Sequence, residues 1–238
     1  MTREEMVSRL LHRDGQMLVI DKPAGLPVHR GPKNSNKGGE SLEDHFDALR
    51  LGLPRAPALA HRLDRDTSGC LVLGRHRKAL AQLGRLFKTG AIDKTYWAVI
   101  ESAPKPDEGV IELPLGRLDA TRGWWMKHDP KGQPAVTKWK VMGRAGSISW
   151  LCLEPMTGRT HQLRVHCAEM GWPILGDTIY GTAPRGDGPM LHLHAREIVV
   201  PLDKDRAPIR VIAPAPPHMR TALAACGWNG DPQVQAAE

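Results

Sequence analysis

The chain has 238 residues, 41% of them apolar and 25% charged, which excludes collagen-like and wholly disordered architectures. A chain of this length buries about 70% of its unfolded surface and needs no disulfide or metal staple to fold. With 33 Lys and Arg against 26 Asp and Glu the net charge is +7, a balance that favours an anionic partner, nucleic acid above all. The N-terminal segment carries Arg3, Glu4, Glu5 and Arg9, so it has no secretory apolar core. No run of 18 apolar residues occurs, so no transmembrane helix is expected. Cys70, Cys152, Cys167 and Cys226 form no C-x-x-C pair, which argues against a zinc site or a disulfide scaffold. Four reduced thiols in a cytoplasmic protein are expected.

In chain order, the apolar run Met17 to Ile20 predicts a strand, ended by the turn Asp21-Lys-Pro-Ala-Gly25. Residues 30–40 form a polar loop. Ser41 and Asp44 predict a helix start, with Leu42, Phe46 and Leu49 at helical spacing. Cys70 to Leu73 is a strand. Leu80, Leu83, Leu86 and Phe87 then mark one helical stripe, closed by Lys88 and Gly90. Further strands are predicted at Tyr96 to Ile100, Val110 to Leu115, Thr137 to Val141 and Ile148 to Leu153. Thr160 predicts the cap of a helix running to Met170, with Gly171 as its terminator. Strands at Met190 to Leu193, Glu197 to Val200 and Ile209 to Ala213 follow, then a helix from Pro217 to Cys226 and a frayed tail from Asn229. Most strands lack a long helical crossover between them. That predicts an α+β fold with a mixed, mainly antiparallel sheet, in a single domain spanning 1–238 with its core over about 17–215.

Two polar clusters stand out. His61-Arg-Leu-Asp-Arg-Asp-Thr-Ser-Gly69 precedes an apolar strand, where a rigid scaffold presents reactive groups. Asp66, Thr67 and Ser68 read best as a hydrogen-bonded turn with Gly69 at φ > 0; Asp64 is open between an ion pair and an active site. In Thr157-Gly-Arg-Thr-His-Gln-Leu-Arg-Val-His166, Gln162 and His166 share one helical face. Arg164 lies in the first turn, where the helix dipole gives a cation no benefit, so a nearby carboxylate or phosphate explains it better. His161 and His166 are five apart, which disfavours a helical metal pair. His192 and His194 lack a third ligand and read as packed histidines. Asp64 and Asp66 could hold Mg²⁺, but Arg62 and Arg65 would compete with it. From Arg117 to Arg144 there are seven Lys or Arg against two Asp, interleaved with Trp124, Trp125 and Trp139. Such a mixture suits RNA: cations track phosphates and aromatic faces stack unpaired bases. Trp139, on an alternating strand, reads as core.

The motif at His61 to Gly69 resembles the signature of the RluA-type bacterial RNA pseudouridine synthases. The likeness continues through Asp21 to His29, Lys94 to Val99, Thr157 to Arg164, Gly176 to Gly181 and Leu193 to Ala195, covering about residues 17–215. The resemblance implies a single catalytic domain on a mixed, mainly antiparallel sheet flanked by helices and loops. It implies Asp64 as the catalytic aspartate, Tyr96 as the active-site tyrosine and Arg164 as the arginine paired with Asp64. RNA contacts are expected from His61, Arg62, Arg159, Gln162, Trp124, Trp125, Lys127 and Lys131. Too few residues precede Leu18 for the S4-type RNA-binding domain of many relatives, which leans toward a compact enzyme acting as a monomer on a stem-loop of tRNA or rRNA. The implied isomerisation exchanges neither electrons nor phosphate, so no cofactor and no metal are expected. Two rivals stand beside this reading: a non-catalytic RNA-binding protein on the same scaffold, and a Mg²⁺-dependent phosphohydrolase using Asp64 and Asp66.

Overall fold

The computed structural model describes residues 1–30, 39–102, 104–119 and 125–231. Apolar runs that follow one another without helical crossovers can bury both faces only as neighbours in one sheet. Ten strands do so: β1 (Leu10–Arg13), β2 (Met17–Lys22), β3 (Ala58–Leu59), β4 (Ser68–Gly74), β5 (Asp93–Ile100), β6 (Glu108–Glu112), β9 (Val136–Ala145), β10 (Ile148–Pro155), β11 (Leu193–Val200) and β12 (Ile209–Ile212). Their order is β1-β2-β4-β11-β5-β10-β9-β6, with β3 on β4 and β12 on β11. β7 (Leu115–Arg117) and β8 (Met126–His128) form a separate antiparallel arm. Within the large sheet only β4 and β11 pair in parallel, Ser68 opposite His194. That crossover places the N-terminal ends of two central strands side by side and makes the sheet mixed, as expected.

Four α-helices flank the sheet: α1 (Arg3–Val7), α2 (Arg77–Thr89), α3 (Gln162–Glu169) and α4 (Pro217–Ala225); a 3₁₀ helix spans Leu42–Leu49. α2 ends as its sequence predicts, with Gly90 in the left-handed region at φ 70°. Its Leu83 is fully buried with Val72 of β4 and Val200 of β11. On the other face Leu163 and Cys167 of α3 pack with Ala98, Leu151 and Leu153. Trp139 meets Trp172 edge to face in the same cluster, so it is core.

Several expectations need correction. The run Val110 to Leu115 is divided: β6 stops at Glu112 and Leu115 opens the small arm. Of the strand read at Met190 to Leu193 only Leu193 is in a strand, and it opens β11, which runs on through Glu197 to Val200. A bulge between Ala195 and Glu197 turns Arg196 inward, where its guanidinium covers the Trp97 ring at 4.1 Å and donates to the Ala213 carbonyl. α3 starts at Gln162, with His161 rather than Thr160 at its N-cap. The core reaches beyond 17–215: Met6 of α1 is fully buried, and Met219 and Leu223 of α4 are too. The tail is not frayed at Asp231, whose carboxylate accepts the Ala215 N–H at 2.8 Å. Residues 31–38 of the polar loop lie outside the described residues.

Candidate active site

The Asp64 loop enters β4 under tight constraint. Gly69 has φ 102°, and a Cβ there would stand 2.2 Å from the Ala195 carbonyl oxygen of β11, so only glycine fits. Thr67 N–H closes a turn on the Asp64 carbonyl, and the buried Ser68 hydroxyl bonds His194 Nδ1 at 2.9 Å. Both residues are therefore structural, as their turn chemistry predicts. Lys22, at the end of β2, is fully buried; its ammonium donates to the carbonyls of Pro23, Arg65 and Thr67 at 2.8, 2.8 and 2.9 Å. The Asp21-to-Gly25 turn is thus a clasp on the Asp64 loop. No sequence argument singled out Lys22, although a lysine beside a Pro-Ala-Gly turn was in view.

Asp64 itself keeps 19% of its side chain accessible, in the wall of a cavity of about 570 Å³ that also meets Arg62, Lys94, Tyr96, Arg159 and Arg164. Tyr96 projects from β5 into the same cavity. Burial, and then the Asp64 charge, push its hydroxyl well above the ordinary phenol range, so it is protonated.

Arg164 is 3% exposed, and its expected pairing with Asp64 is the looser of two ion pairs. Its Nε and Nη2 donate to Asp177 Oδ2 and Oδ1 at 2.8 and 2.7 Å, while Nη1 lies 4.0 Å from Asp64 Oδ2. The bidentate partner of the arginine is Asp177; Asp64 is only faced by its third nitrogen. Burial alone would raise the Asp177 carboxyl and lower the guanidinium. The fork-to-fork contact reverses both, and the Ile179 and Tyr180 N–H groups also bond Asp177. The inference that Arg164 needs a nearby anion holds, but the anion sits 13 residues on, in the Gly176-to-Gly181 motif. His161 Nε2 lies 3.8 Å from Asp64 Oδ1, on the side opposite Arg164's approach to Oδ2.

Two residues expected at RNA, Gln162 and His61, line the cavity but spend polar atoms on bonds inside the protein. The Gln162 amide is spent inside the protein: it accepts from the Thr157 hydroxyl and the Arg159 N–H, and donates to the Val136 carbonyl and Thr137 Oγ1. His166 bonds the same Thr137, so the shared helical face is real. His61 accepts the Val72 N–H on Nε2 and stacks on Phe87 at 4.3 Å; burial, then Lys94, draw its pKa down to about 3. A ring so held is neutral and structural. Arg62 is exposed at the cavity, and Arg159 anchors its Nε on the Pro134 carbonyl there. Lys127 and Lys131 are exposed on the β7–β8 arm and the turn after it. The Trp125 ring is covered by Arg185 at 5.5 Å. Trp124 lies outside the described residues. Among the described residues no three His, Cys, Asp or Glu side chains gather as a metal site, and no helix is long and apolar enough to cross a membrane. Asp177 and Tyr180 escaped the sequence reading, although both lie in the Gly176-to-Gly181 motif, which was noticed without a role; His161 was weighed only as half of a metal pair.

Comparison with known proteins gives one answer. A model of the RNA pseudouridylate synthase family matches residues 16–169. Over 215 residues the chain is 41% identical to an uncharacterized RNA pseudouridine synthase of Zymomonas mobilis, covering 89% of this chain and 95% of that one. It is 35% identical to another from Synechocystis, covering 90% of this chain and 67% of the relative. The solved structure of human RNA pseudouridylate synthase domain containing 4 superposes with a TM-score of 0.77 at 28% identity, over 94% of this chain and 95% of that one.

Proposed function

The chain belongs to the RNA pseudouridylate synthase family, and from that premise we propose that it isomerises specific uridines in a structured stem-loop of rRNA or tRNA, with Asp64 as nucleophile. The observation that carries the reading is a partly accessible carboxylate at a cavity wall, with Arg164 and His161 each within 4.0 Å of one of its oxygens. Neither contact is at hydrogen-bond distance, so the two groups act on the carboxylate electrostatically and leave its oxygens open to a substrate.

In the proposed reaction Asp64 attacks C1′ of the target nucleotide, or assists glycal formation there, as the N1–C1′ bond breaks. The uracil turns within the cavity, C5 bonds to C1′, the C5 proton leaves and N1 ends protonated. Atoms are conserved and no electrons are exchanged. A protonated Tyr96 offers a ring for the uracil to stack on and a hydroxyl for the closing proton transfer. A uridine inside a stem must first be flipped out, at a cost of a few kcal/mol. The cavity, about 570 Å³, falls in the range of small-ligand sites, and Arg62, Lys94 and Arg159 at its wall supply phosphate attraction that offsets the flipping cost. On this reading a single chain in the cytoplasm suffices.

The test is site-resolved pseudouridine mapping of total RNA from cells with the protein, without it, and with Asp64→Asn in its place. Sites that vanish in the second and third cases identify the substrate. Sites retained with Asp64→Asn would sink the assigned nucleophile and leave an RNA-binding role.

A further inference from the structure

The geometry points to His161, fixed by Tyr180, as a second positioning residue for Asp64, one that ties the carboxylate to the β7–β8 arm. The inference rests on the reading of Asp64 given above and extends it. His161 stands at the N-cap of α3 with φ 52° and ψ 18°, the left-handed region, yet its side chain makes no capping bond. Such a conformation is strained in a non-glycine residue, and it persists where the surroundings over-determine it. Serine, threonine or aspartate would cap the helix better. What the strained backbone gains is the aim of the ring, with Nε2 at 3.8 Å from Asp64 Oδ1.

The ring's other nitrogen is pinned. Tyr180 Oη accepts the Met126 N–H at 2.9 Å and lies 2.7 Å from His161 Nδ1. With the backbone donor on its oxygen, we assign the hydroxyl proton to Nδ1. Nε2 then carries the ring hydrogen and presents an N–H to Asp64. Among the described residues, the charged and titratable groups that act on the ring include Asp64 and Arg62 from the loop before β4, Arg164 from α3, and Asp177 and Tyr180 from the segment after α3. Burial outweighs the two carboxylates and keeps the ring neutral. The two donors facing Asp64 are thus built alike: Arg164 is held by Asp177 and His161 by Tyr180, both from the Gly176-to-Gly181 segment. Met126 belongs to β8, next to the exposed Lys127.

The test uses the full chain and a stem-loop transcript carrying a uridine mapped as above. Single-turnover rates at saturating RNA, RNA affinity and thermal melting are measured for His161→Phe, His161→Gln, Tyr180→Phe, the double variant Tyr180→Phe with His161→Phe, and Asp64→Asn. His161→Phe should slow the rate about 10- to 100-fold, the scale of a misaligned reacting group, with RNA affinity within about threefold of the parent. His161→Gln, which keeps an N–H at comparable reach, should recover most of that loss. Tyr180→Phe should slow the parent about tenfold and have no further effect on His161→Phe. Full activity in His161→Phe with an inactive Asp64→Asn would overturn the role of His161 alone. Equal losses from Tyr180→Phe in both backgrounds would overturn the coupling. An active Asp64→Asn would overturn the underlying reading as well. Should His161→Phe fail to fold, Tyr180→Phe combined with His161→Gln carries the same comparison.

Discussion

Replacing Asp177 by Asn asks which carboxylate balances Arg164. The guanidinium is 3% exposed and its partner 1%, and removing one member of a buried pair costs about 3–5 kcal/mol because the other charge stays uncompensated. Two features soften the loss here. Asp64 remains 4.0 Å from Nη1, and the Tyr180 ring remains 5.2 Å from the guanidinium carbon. The lower end, about 3 kcal/mol, is therefore expected; for a chain of this size that lowers Tm by about 6–12 °C. Asp64→Asn, whose carboxylate meets Arg164 only through the 4.0 Å ion pair and keeps some access to solvent, should cost less than about 1 kcal/mol. The pH dependence follows from the depressed Asp177 carboxyl. A group with a lowered folded-state pKa stabilises above its unfolded value, about 3.9, and that contribution fades as pH falls through the folded value. The gap in melting temperature between parent and Asp177→Asn should hold from about pH 8 to 5 and narrow below about pH 4. Thermal melts followed by circular dichroism across that range read both effects. Equal destabilisation by Asp64→Asn, or an Asp177→Asn protein as stable as the parent, would refute the assigned pairing.

Four further outcomes are expected. Tyr96→Phe keeps the ring and loses the hydroxyl, so it should bind RNA normally but accumulate a stalled intermediate, seen as loss of the parent uridine without matching pseudouridine. Lys22→Met leaves three loop carbonyls without their donor and should destabilise the protein by about 2–3 kcal/mol, lowering the rate at saturating RNA more than the affinity; an unaltered rate would mean the clasp does not hold Asp64. Neutralising Lys127 and Lys131 to Gln should weaken RNA binding and reduce the slope of log K against log salt by about 0.7–0.9 for each lost phosphate contact; an unchanged slope would put the RNA on another face. Turnover should be complete in excess EDTA, and a loss that Mg²⁺ restores at fixed RNA structure would revive a metal-dependent reading of Asp64 and Asp66.

The elements that local chemistry controls were legible in the sequence. α2 lies where one apolar stripe and a terminal glycine put it, and the mixed sheet follows from strands without helical crossovers. Asp64 stood out because a polar loop running into an apolar strand has no packing use. Arg164 stood out as a cation at the wrong end of a helix, and its need for an anion was derived correctly. Which anion it takes was decided by tertiary structure, since Asp177 reaches it only when the segment after α3 folds back onto that helix. Gln162 and His61 have the chemistry of RNA contacts, and only burial against Thr137 and Val72 turns them into internal fasteners. The left-handed turn at His161 overrode the better cap at Thr160 because the packed site, not the helix, determines where that ring points. Periodicity and capping act over a few residues and can be read along a chain. Partner choice, burial and strain depend on which distant segments meet, and they take effect only when the whole sheet closes.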